Sequence, residues 1–333
     1  MPGIRERGEE IRNFILLNIS SNRNIASITA QRFFISHQAV YKHIDKLVSE
    51  KQLIKKAGRY VLQSRRFSYN YRVDKKLSED TVWENDIKKH FIGVSDNAKR
   101  IWVYGFLEIF NNAIEHSNGK KINVVVEENK VSVSVTISDD GIGIFKNIKT
   151  KFKLPDEKDA LLELAKGKRT TDNKRHSGQG IFFTSKAFDD FNIVSGGIIF
   201  NAGPAENSKK ITKTKFSTSV YMHLANNSEK KLKDIFDKYS TEIPGDFDKT
   251  IVPIHLAKSD DLVSRSQARR ILSGLELFKE VILDFKDIDH IGQAFADEIF
   301  RVFPNMYPET KMLFQNTATD VINMINRAKN TKL

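Results

Sequence analysis

The chain has 333 residues, of which 40% are hydrophobic, enough for two or three domains with packed cores. Its apolar runs stop far short of the ~20 residues a membrane span needs, and its charged N-terminus lacks the pattern of a secretory leader. With no cysteine, disulfides, thiolate metal sites and thiol chemistry are excluded, and a cytoplasmic protein with no membrane association is expected.

The net charge of +12 is unevenly spread. Residues 1–66 hold thirteen Lys/Arg against five Asp/Glu, a balance of +8, which attracts a polyanion such as nucleic acid. Ile11, Phe14, Ile15 and Ile19 recur at helical spacing and predict an amphipathic helix from about Arg5. A polar loop over 18–24, a short helix over 27–34 and a tight turn follow. Ser36 suits the N-cap of a second helix that buries Val40, Ile44, Leu47 and Val48. Residues 53–62 read as two short strands around Gly58. This order resembles a winged helix-turn-helix over about the first 65 residues. The resemblance implies duplex DNA as a partner, with Ser36, His37, Gln38, Tyr41 and Lys42 at the major groove. Lys55, Lys56 and Arg59 would meet the phosphate backbone from the wing. A winged helix that contacts protein instead is the alternative.

Residues 67–226 alternate helix and strand. An edge strand is predicted at 67–73, a long helix at 98–117, a strand pair at 122–126 and 131–138, and further strands at 191–195, 197–201 and 218–224. The stretch 145–174 is polar and rich in Lys, Thr and Asp, and reads as a mobile lid with a short helix over 160–165. A charged linker over 227–244 leads to a small α/β domain at 245–333. Its strands are predicted at 250–256, 281–285 and 311–314, and its helices at 264–275, 293–303 and 317–328. The expected fold class is α+β multidomain, with boundaries at 1–66, 67–226 and 245–333.

Four motifs in the middle segment carry chemistry. Glu108 and Asn112 stand four residues apart, hence on one helix face. An amide oxygen can complete a magnesium octahedron of phosphates and waters, and a neighbouring carboxylate can orient or deprotonate a nucleophile. Asp139-Asp-Gly141-Ile-Gly143-Ile144 ends a strand with an acid able to accept from an adenine amino group, and its glycines allow close backbone approach. Ser177-Gly178-Gln179-Gly180-Ile181 opens a helix whose amides can curl around phosphate. Thr218 places a hydroxyl at the start of the last strand.

In that order the motifs resemble the N box and glycine boxes of GHKL ATPases (gyrase, the large heat-shock chaperone, histidine kinases and MutL). The resemblance implies an α/β sandwich that binds ATP with Mg2+ under a flexible lid. Asn112 would be the metal ligand, Asp139 the adenine reader and Glu108 the base or water-orienter. Residues Ser177 to Ile181 would hold the phosphates, with Gly141, Gly143, Ile144 and Thr218 completing the ATP-binding set. His37, His43 and His90 lack the context of a histidine-kinase phosphoacceptor, and the run Glu-x-x-x-Asn-Ala-x-x-x-His is closer to anti-sigma-factor serine kinases. Residues 281–298 resemble the strand–turn–helix of STAS domains. With the preceding 264–270 they look closer still to a STAS-like domain of unknown function. His290 and Ile291 stand where phosphorylated STAS proteins carry a serine, so autophosphorylation of this turn is not expected. The function implied is an ATP-responsive, DNA-binding regulator. A serine kinase acting on a separate partner and a nucleotide-gated adaptor are the alternatives. A protein docked on the STAS-like module and a second copy of the chain are further candidate partners.

Overall fold

The computed structural model describes residues 4–20, 24–167, 179–202, 215–243, 245–257 and 262–330. Apolar periodicity organises the N-terminal part. Helices α1 (Ile4–Asn18), α2 (Ile25–Phe33) and α3 (His37–Ser49) turn Ile11, Ile15, Leu16, Phe33, Val40, Ile44 and Leu47 into one core. Ser36 caps α3, its hydroxyl accepting from Ala39 N at 3.2 Å. Between α2 and α3 the chain turns through Phe34, a left-handed residue (φ 53) whose ring is 93% exposed. Strands β1 (Leu53–Lys56) and β2 (Arg59–Leu62) pair antiparallel. Their two-residue turn has positive φ at both Ala57 and Gly58, the geometry that matches strand twist.

The central part is a six-stranded antiparallel sheet in the order β3-β4-β5-β8-β6-β7. Its strands are β3 (Arg65–Arg72), β4 (Lys121–Glu128), β5 (Ser132–Asp139), β6 (Asp190–Ser195), β7 (Ile198–Asn201) and β8 (Thr218–Ala225). Helix α4 (Glu79–Val82) leads through a π turn and a 3-10 turn to α5 (Asp96–Glu115). Trp102, Phe106, Ile109 and Phe110 seat α5 on Val124, Val135 and Met222 in the central core.

The stretch predicted as a mobile lid is helical and packed over its described part. Helix α6 (Ile144–Phe152) buries Phe145 and Ile148, and α7 (Asp159–Lys166) buries Ala160, Leu162 and Ala165. Phe145, Ile148 and Phe152 recur at helical spacing between lysines, so a polar composition masked an amphipathic helix. Residues 168–174 of that stretch lie outside the described residues. Helix α8 (Gly180–Ala187) runs from the second glycine turn towards β6.

The stretch read as linker also contains a helix, α9 (Leu232–Lys238). Leu232 packs on the central core, while Phe236 and Tyr239 join the C-terminal one. Beyond it lie β9 (Lys249–Pro253), α10 (Arg265–Leu272), β10 (Glu280–Asp284), α11 (Gln293–Asp297), α12 (Phe303–Met306), β11 (Lys311–Gln315) and α13 (Thr319–Asn330). A π turn joins α11 to α12, and the strands form a parallel sheet in the order β11-β10-β9. The fold is thus α+β and multidomain. Among the described residues no helix is long and apolar enough to cross a membrane.

Candidate nucleotide site

Helix α5 supplies the first pair of side chains. Ser95 caps it by accepting from Ala98 N at 3.2 Å, and Glu108 and Asn112 lie one turn apart on a half-buried flank. Glu108 faces the start of α8, where a methyl group on Gly180 would stand 1.9 Å from its Oε2. A methyl group on Gly105 would stand 2.4 Å from the ring of Phe188, just past the other end of α8. Two glycines therefore let α5 and α8 press together in opposite directions. The carboxylate of Glu108 lies against the helix terminus that carries positive potential.

Asp139 ends β5 directly opposite Thr218, the first residue of β8. It is 6% exposed, and its Oδ1 accepts from Gly141 N at 2.9 Å. The Thr218 hydroxyl accepts from Ile144 N at 3.1 Å, tying the start of α6 to the last strand, and hydrogen-bonds the Asp139 carboxylate. Burial pushes the Asp139 carboxyl up to about 6, against the lowering effect of the Gly141 N–H and the Thr218 hydroxyl.

The glycines of this box are also required by the fold itself. A methyl group on Gly141 would lie 2.0 Å from the carbonyl oxygen of Ser117, so this residue fits the turn against the end of α5. Gly143 has φ 90, a backbone state that L side chains rarely adopt. Three supporting residues were missed in the sequence. Asp140 Oδ1 accepts from Lys120 N at 2.7 Å and Lys121 N at 2.9 Å, fixing the entry to β4. Ser117 donates to Ala113 O at 2.6 Å, and buried Asn147 donates to His116 O at 3.0 Å, binding α6 to α5. Asp140 had a visible signal, the Asp-Asp doublet; the other two had none.

Ser177 and Gly178 lie outside the described residues. Gln179 is the N-cap of α8, Gly180 its first residue, and Ile181 packs on the central core. Among the described residues no cluster of three or more His, Cys, Asp or Glu could hold a metal.

On the N-terminal unit, Ser36, His37, Gln38, Tyr41 and Lys42 share the exposed face of α3. Lys55, Lys56 and Arg59 are exposed on the hairpin, with Lys55 Nζ 5.7 Å from the Tyr60 ring centroid. In the C-terminal unit the turn before α11 is closed. Ile291 is buried, Gly292 N donates to Leu262 O at 2.8 Å, and a methyl group on Gly292 would lie 2.6 Å from Val263 Cα.

Comparison with known families agrees with two of the three parts. The model of the histidine kinase-like ATPase domain matches residues 84–199, and that of a STAS-like domain of unknown function matches 267–321. None of the curated proteins compared with the chain matches it. Strands β3 and β8, the latter carrying Thr218, lie outside the matched residues and yet complete the same sheet.

Proposed function

We propose that the chain is an ATP-responsive, DNA-binding regulator in which a nucleotide in the central domain sets the relation between a winged helix and a STAS-like module. The observation that carries the nucleotide reading is the buried carboxylate of Asp139, held by Gly141 N–H and Thr218 at the end of β5. An adenine amino group offers such a carboxylate the donor that water otherwise supplies. The phosphates would meet the N-terminus of α8, beside Glu108, and Mg2+ would be held by Asn112 together with those phosphates. In this reading Glu108 orients or deprotonates the nucleophile. Glu108→Ala is then expected to keep ATP affinity within a few-fold and to abolish any hydrolysis or phosphoryl transfer that the parent chain shows. Calorimetry beside a phosphate-release and a labelled-transfer assay separates the two effects. Lost ATP binding would make Glu108 a structural residue of the α5–α8 contact. Transfer of label to a partner protein would favour the serine-kinase alternative.

The DNA reading rests on the exposed face of α3 and the unpaired cations of the hairpin. Among the described residues Lys42, Lys55, Lys56 and Arg59 form no ion pair, and all are exposed. Replacing Lys55, Lys56 and Arg59 together by Ala is expected to weaken binding to every duplex. It should also flatten the salt dependence by about 2–3 in log–log slope, the loss expected for three phosphate contacts. Gln38→Ala is expected to cost about 1–3 kcal/mol on the preferred site and little elsewhere. Anisotropy titrations of the full chain with random and chosen duplexes, with and without ATP, measure both. Absence of duplex binding in all of them would move the adaptor alternative ahead.

A further inference from the structure

A cavity of about 320 Å³ lies away from the candidate nucleotide site, between the far end of α8 and the segment leading into α9. Lys186, Lys230, Lys231 and Lys238 line it together with Glu229 and Asp234, four ammonium groups against two carboxylates, for a local balance of +2. Ile235 and Tyr239 add an apolar wall. The volume falls at the small end of ligand clefts.

The four lysines are not equally free. Lys230 is committed, donating to Phe188 O at 2.6 Å and pairing with Asp189 at 3.0 Å. Lys186 forms no ion pair among the described residues; its Nζ stands 5.4 Å from the Phe182 ring centroid. Burial and the nearby charge of Lys238 hold the Lys186 ammonium below its ordinary pKa. Lys238 is likewise without a carboxylate partner among the described residues, its Nζ lying 5.9 Å from the Tyr239 ring centroid. Lys186 is half-buried without an ion pair among the described residues, and the exposed Lys238 of α9 adds a second positive charge beside it, so the open cleft has an excess of positive charge and calls for a counter-charge. A doubly charged anion supplies it, and the Tyr239 wall accommodates a small carbon skeleton.

We propose that this cavity is a second binding site, for a small dianion of the phosphate-ester class. Lys186 and Lys238 are its main ligands, and Ile235 and Tyr239 shelter the ester group. Lys186 is six residues from Gly180 along α8, about 9 Å by helical rise, so the site is separate from the one proposed for ATP.

The test is calorimetric titration of the full chain with inorganic phosphate, pyrophosphate and glycerol 3-phosphate. The expected result is saturable binding of glycerol 3-phosphate that is lowered at least tenfold by Lys186→Gln and by Lys238→Gln. MgATP affinity should be unchanged in both variants. Asp139→Asn should show the converse, keeping the dianion while losing ATP, which separates failure of this site from failure of the nucleotide reading. Lys186→Met should also raise the melting temperature of the ligand-free chain, because it removes an unpaired, partly buried cation. Should a Lys186 variant fail to fold, Lys238→Gln carries the test alone. The proposal is overturned if no probe binds at millimolar concentration, if both Gln variants bind as the parent does, or if ATP displaces the probe one for one.

Discussion

Asp139→Asn is expected to abolish nucleotide binding and, in the same protein, to raise the stability of the ligand-free fold. The two effects share one cause. Burial holds the Asp139 carboxyl at about 6 against an ordinary 3.8, so the native state keeps this proton more tightly than the unfolded chain. Below about pH 4 both states are protonated and the residue contributes nothing. Between about 4 and 6 the unfolded chain ionises first and the native state loses stability as pH rises. Above about 6 the full penalty stands, ~3 kcal/mol for a displacement of that size. An amide carries no charge at any pH, and its oxygen can still accept from Gly141 N. The stability gap between variant and parent should therefore be near zero at pH 4 and fully grown by pH 7. ATP affinity of the parent should fall as pH drops through about 6, where the acceptor becomes protonated. Denaturant titrations at several pH values and calorimetry with ATP measure both. A folded variant that binds ATP as the parent does would remove Asp139 from the site.

The same residue shows how far the sequence could be read. A strand ending in Asp-Asp-Gly-Ile-Gly is visible as a linear pattern, as are the Ser36 cap and the turn at Gly58, because each depends on neighbours within a few residues. The partners that hold Asp139 are not local. Thr218 meets Ile144 across 74 residues, and the fit of Gly141 depends on the Ser117 carbonyl at the end of another helix. Gly180 shows the limit most clearly. In the sequence it is a phosphate-turn glycine, whereas in the fold it also has to be glycine because Glu108 lies against it. Helix α6 and helix α9 escaped for a different reason. Their apolar residues are few and separated by lysines, so composition spoke for loop while spacing spoke for helix. Charge was equally uninformative about Lys166, one lysine among many in the sequence and 1% exposed in the fold.

Lys166 joins the central and C-terminal parts, and its replacement is the second change expected to have a large effect. Its ammonium donates to Glu163 Oε1 at 2.7 Å, to Ser273 O at 2.9 Å and to Arg270 O at 3.2 Å, so it caps the end of α10 from α7. Its own carbonyl accepts from the Thr250 hydroxyl at 3.0 Å, and Arg270 approaches Asp159 at 3.8 Å. Around these bonds Leu162, Phe182 and Phe183 from the central part pack with Tyr239, Phe247 and Phe278 in the C-terminal core. Lys166→Met keeps much of the side-chain volume and removes the charge. Glu163, 5% exposed, then loses the ammonium that stands 2.7 Å from its Oε1, and the Arg270 and Ser273 carbonyls lose this donor. Breaking a buried pair from one side costs about 3–5 kcal/mol, whereas replacing both partners by apolar groups is often close to neutral. The single variant should therefore lose ~3 kcal/mol or more, and Glu163→Leu combined with Lys166→Met should recover most of it. Because the lost bonds lie in the seam, scanning calorimetry of the single variant should show the C-terminal part melting ahead of the central one. A single variant as stable as the parent would show that apolar packing in the seam holds the two parts together without the lysine. A double variant no better than the single would place the cost in the carbonyls at the end of α10 rather than in the Glu163 carboxylate.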